Sequence, residues 1–147
     1  MADNFGLKIG IEGEKEFKKA LSEINQSFKV LGSEMKLVSS QFDKNDKSIQ
    51  ALSARNTVLN KEIDAQRQKI ETLRAALRNA ADSFGENDRR TQNWQIQLNN
   101  AEAALNGMER ELSDNERAIE ALSQEETDAA DATERLSREI AQQEDAL

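Results

Sequence analysis

The chain has 147 residues, a formal net charge of −8, 33% charged residues and only 4% aromatic ones. With a mean hydropathy of −0.80 it has little apolar surface from which to build a globular core around a pocket. His, Cys and Tyr are all absent, which removes most general bases, thiol nucleophiles and the nitrogen and sulfur ligands of metal sites.

No glycine-rich loop cradles a phosphate, and paired acids such as Glu125 and Glu126 sit where nothing would separate their pKa values. The segment Asp43-Lys44-Asn45-Asp46-Lys47 lacks the glycine and closing glutamate of a calcium loop. The expectation is therefore a chain that is not an enzyme and has no cofactor or metal. No apolar run approaches the ~20 residues of a membrane span, and no signal-peptide pattern opens the chain.

Charge is uneven. Residues 1–50 carry eight Lys/Arg against eight Asp/Glu, residues 51–100 eight against six, and residues 101–147 four against fourteen. The acidic excess argues against nucleic-acid partners. The small basic clusters (Lys15, Lys18, Lys19; Arg89, Arg90) have no aromatic neighbours for base stacking, and read as solvated helix faces.

In chain order, Phe5, Leu7, Ile9 and Ile11 alternate with small or polar residues, which reads as a short N-terminal β-strand arm over residues 1–13, ended by Gly13. Glu14 and Glu16 then suit the first turn of a helix. From Phe17 onward the apolar residues recur at alternating steps of four and three without a slip. The seam runs through Phe17, Leu21, Ile24, Phe28, Leu31, Met35, Val38 and Phe42, then Ile49, Leu52, Leu59, Ile63, Ile70, Leu73, Leu77 and Phe84. It continues through Trp94, Leu98, Leu105, Met108, Leu112, Ile119, Leu122, Leu136, Ile140 and Leu147; only Val30, Leu37, Val58 and Ile96 lie off it. Such a seven-residue repeat must be buried against another helix. The fold expected is all-α, of long coiled-coil helices with the seam as interface.

Residues 14–84 form the first coiled-coil region, with a soft spot at 43–47 that reads as a kink, a short loop or a frayed turn. Asn56 and Gln66 interrupt the seam there; a buried Asn fixes register by pairing with another Asn, and a solvated layer is the other reading. Residues 85–90 form a corner, since Gly85 suits a helix end and Asn87 or Asp88 the next start. The unbroken seven-residue count favours a continuous helix instead. Charge favours an antiparallel hairpin, because Arg55, Lys61, Arg67, Lys69, Arg74 and Arg78 would face Glu102, Glu109, Glu111, Asp114 and Glu116. A second coiled-coil helix follows over 91–124, and then a weak acidic helical tail over 125–147, where Glu126 and Thr133 occupy the seam.

The stretches GLKIGIEGEKEFKKALSEINQSFKVLGSEMKLVSSQFDKNDKSIQAL (6–52) and SFGENDRRTQNWQIQLNNAEAALNGMERELSDNE (83–116) resemble the N-terminal region of phage tail tape measure proteins, of the type found in phages and prophages of Gram-positive bacteria. The resemblance implies a structural protein that oligomerises in the tail tube, helps determine tail length, and leaves ahead of the DNA. It implies tail tube and tail assembly proteins as partners. The implied location is the lumen of the virion tail, with host cytoplasm during assembly. It also points to a trimer, which phenylalanine at Phe28, Phe42 and Phe84 suits. The chain is short for that family, so a segment of a longer protein is expected. The competing expectation is a cytoplasmic coiled-coil adaptor or chaperone that grips a client through a hairpin tip at Phe84 and Trp94.

Overall fold

A computed structural model describes residues 2–146, and the side chains of residues 6–144. Met1 and Leu147, the last seam position, lie outside the described residues, as does the Phe5 side chain. The described residues form three helices: α1 (Ala2–Gln41), α2 (Ile49–Phe84) and α3 (Arg89–Ala146). The protein is all-α, and no described residue is in a strand.

The expected N-terminal strand is corrected by this result, because α1 runs through Leu7, Ile9 and Ile11. The seam count carried back from Phe17 lands on Glu14 and Gly10, whose side chains do not announce a buried position. Both are nevertheless packed. Gly10 is buried with its Cα close against Ser83 and Phe84, and its carbonyl accepts a 3.3 Å hydrogen bond from Asn79 Nδ2. Glu14 Oε1 accepts the Trp94 indole N–H at 3.0 Å. Tertiary contact with α2 and α3 thus holds the helix where local alternation suggests a strand.

The soft spot is a loop across which the chain reverses. Asp46 N–H bonds to the Asp43 carbonyl at 2.9 Å to make a turn. The Asp46 carboxylate then accepts the Ser48 N–H at 2.8 Å, and Ser48 caps α2 by accepting the Ala51 N–H. Arg55 reaches back from α2 to the carbonyls of Asp46 and Asp43, at 2.6 and 3.0 Å. The Ser48 N–H and hydroxyl, and after them the Arg55 charge, hold the Asp46 carboxyl below the ordinary carboxylate range.

At the second corner α2 ends at Phe84 and Gly85 takes φ +94° and ψ 157°. Asp88 accepts the Arg90 N–H at 2.9 Å and pairs with its guanidinium at 3.0 Å, while Thr91 Oγ1 donates to the Gly85 carbonyl. Arg90 also stacks on the Phe84 ring, 3.5 Å from its centroid.

α2 is the central helix and packs antiparallel to both neighbours. Against α3, Arg67 pairs with Glu109 and Arg74 with Glu102, each at 3.1 Å; against α1, Lys61 pairs with Glu34 at 3.4 Å. Exposed pairs of this kind stabilise little but mark register. No Cα of α1 lies within 8 Å of one in α3 among the described residues. Being flanked on both sides, α2 buries a second stripe beside its seam: Ala51, Val58 and Ala65 recur every seven residues.

Candidate interaction surface

All the seam residues expected to form an interface from Phe17 to Leu122 are buried or half-buried, and they are so within one chain. Leu21, Ile70, Leu73, Trp94 and Leu98 meet in one cluster with Ala76, Ala80 and Ala101, and Phe17, Leu77, Phe84 and Leu105 pack against it. Leu52, Leu59 and Ile63 are buried on α2 and Leu31 on α1, while Ile24, Phe28, Met35, Phe42 and Ile49 are half-buried toward the first turn. Met108, Leu112, Ile119 and Leu122 are half-buried along α3. Leu73 is fully buried at 0% exposure and marks the centre of the packing.

The polar residues that interrupt the seam of α2, Gln66 and Asn56, are satisfied internally. Gln66 Nε2 donates to the Ala101 carbonyl, and Asn115 Nδ2 donates to Asn56 Oδ1, both at 2.9 Å. The Asn56–Asn115 pair locks α2 and α3 in one register. Sequence periodicity alone did not single out Ala51, Ala65 or Ala76, which line the face of α2 beyond the seam. The seven-residue spacing of Ala51, Val58 and Ala65 was the signal that could have found the first and last of these; Ala76 lies off that series.

Two surfaces remain open. The first is the groove between α1 and α3, with α2 as its floor. One stretch, of about 590 Å³, is lined by Lys18, Leu21, Asn25, Lys29, Lys69, Trp94 and Gln97. It continues past Gln66, Asn100, Ala101 and Ala104. Lys69 spans it, donating to Asn25 Oδ1 at 3.4 Å above the Phe28 ring. Farther along, burial pushes the Glu62 carboxyl above the ordinary carboxylate range, and the Glu111 charge adds to the shift.

The second is the far end of α3. Asn56 faces Asn115, so Ile49, the first residue of α2, is level with Leu122. Beyond it every described side chain is exposed, including Leu136 at 57% and Ile140 at 50%. This overhang reaches about 36 Å past the other helices at ~1.5 Å per residue. Among the described residues no cluster of acids is arranged to hold a metal ion, and no helix is long and apolar enough to cross a membrane. No family model, curated protein or solved structure matches the chain.

Proposed function

We propose that the chain is a structural segment of a phage tail tape measure protein, acting in tail assembly and length determination through association with further copies and with the tail tube. The observation that supports this reading best is α3, 58 residues of helix with no proline and a fixed rise. A molecular ruler needs a constant length per residue, and such a helix supplies about 87 Å of it. The acidic surface of residues 101–147, four Lys/Arg against fourteen Asp/Glu, also suits a protein that shares a tube with DNA without adhering to it.

The four-three count passes through both corners unbroken, so the same seam serves a folded or an extended chain. Inserting eight heptads after Leu122 tests the ruler. Electron micrographs of the resulting particles are expected to show tails lengthened by about 84 Å. Tails of unchanged length overturn the reading.

The adaptor reading has less support. Trp94 is 3% exposed and bonded to Glu14, and Phe84 is covered by Arg90, so neither is presented at the tip for a client.

A further inference from the structure

We infer that the α3 overhang of one copy docks in the α1–α3 groove of a second copy, giving a two-fold antiparallel dimer in which each groove receives the other chain's helix. The overhang cannot fill its own groove, because α3 is one continuous helix with no glycine or proline after Gly107 to fold it back.

Charge selects the occupant. Residues 125–147 carry eight Asp/Glu against two Lys/Arg, so two overhangs laid side by side would repel. The groove instead offers Lys29 and Lys69, beside Asn100 and Ala104 of α3. An acidic helix with an apolar face fits it, and Leu136 with Ile140, one turn apart, is that face.

The helical geometry closes. The seven-residue count sets Leu136 and Ile140 five heptads beyond Ala101 and Leu105, the stripe next to the groove-lining Asn100 and Ala104. Ile140 also lies as far beyond Leu122 as Ala104 lies before it, about 27 Å on an α-helix. A two-fold axis beside Leu122 therefore sets Ile140 of each copy against Ala104 of the other. The same operation brings Arg135 level with Glu62, whose carboxyl feels the Glu111 charge, and brings Glu139 and Glu144 to either side of Lys69. The incoming helix runs opposite to both α1 and α3, an arrangement in which the helix dipoles attract. The result is a four-helix layer around α2.

This inference stands apart from the tail reading, since it concerns the free chain in solution. The chain contains no cysteine, so an Ala104→Cys/Ile140→Cys double variant can report the contact without background. Oxidation is expected to yield a covalent dimer of twice the 16.5 kDa chain mass, which Ala104→Cys alone does not give. Light scattering on the unmodified chain is expected to give the same dimer mass. Leu136→Asp/Ile140→Asp should leave a monomer whose bundle melts at the unmodified chain's dilute-limit temperature. A monomer at ~100 μM, above the micromolar affinities of specific complexes, would overturn the inference. So would a trimer, a dimer that survives the double aspartate variant, or a covalent dimer formed equally well by Ile140→Cys alone, which would mean parallel overhangs.

Discussion

Gly85 sits at φ +94° and ψ 157°, a region open to glycine and costly for any side chain. Gly85→Ala is expected to destabilise the fold by about 1–3 kcal/mol, read as a lower Tm. An unbroken helix at this position would give the opposite sign, because alanine is the better helix former. Glu62 makes a second residue-scale prediction. Its carboxyl is held above the ordinary range by burial first and Glu111 second, so the folded chain binds that proton more tightly than the unfolded chain does. This group therefore adds stability as pH falls through its raised value, with the effect complete below the ordinary value of 4.5. In the Leu136→Asp/Ile140→Asp background, which removes the inferred approach of Arg135 from a second copy, Glu62→Gln is expected to raise Tm at pH 7. The gain should vanish below pH 4.5, where Glu62 is neutral in both states. An equal gain at both pH values would show that packing, not charge, limits the site.

Among the elements, α2 carries the most constraint, because it is buried on two sides. The Asn56–Asn115 bond is its register lock against α3. Asn115→Leu leaves the buried Asn56 amide without its partner and is expected to cost about 1–3 kcal/mol in chemical denaturation. Asn56→Leu/Asn115→Leu should recover most of that loss, since removing both partners leaves nothing unsatisfied. A double variant as unstable as the single one would place the cost in packing instead. α1 shows how an element can hide. Gly10 reads as a small residue within a strand and Gly13 as its end, yet a Cβ on Gly10 would lie 2.5 Å from that of Ser83, and one on Gly13 2.7 Å from the Asn79 amide nitrogen. Here glycine permits two helices to approach. The alternating Leu7, Ile9 and Ile11 are left on the exposed side of α1.

At the scale of the whole molecule, two reversals fold a chain of long helices into a bundle from which α3 alone projects. Spin labels at positions 74 and 102, where Arg74 and Glu102 now pair at 3.1 Å, report whether that fold persists. The free protein is expected to give about 10–15 Å, set by helix packing and label length. Under the proposed tail function, an assembly that straightens the second corner should give about 42 Å in labelled particles, the rise over that stretch of continuous helix. The short distance in both settings would mean that the bundle enters the tail folded.

The heptad count by itself determined that the chain from Phe17 onward is helical and that its seam from Phe17 to Leu122 is shielded, although Leu136 and Ile140 on the seam stay exposed and Val58 off it is buried. Charge along α2 and α3 and the glycine of the second corner favoured an antiparallel pair, and the arginine–glutamate pairs lie where that reading set them at Arg67 and Arg74. Periodicity could not say which helix covers which, because one seam fits partners within a chain as well as between chains. Only the tertiary structure decided that, by turning the chain at Asp43–Asp46 and setting α2 in the middle. It also decided the fate of the first thirteen residues. A strand pattern is a local preference, and contacts made with Asn79, Phe84 and Trp94, far along the chain, outweigh it.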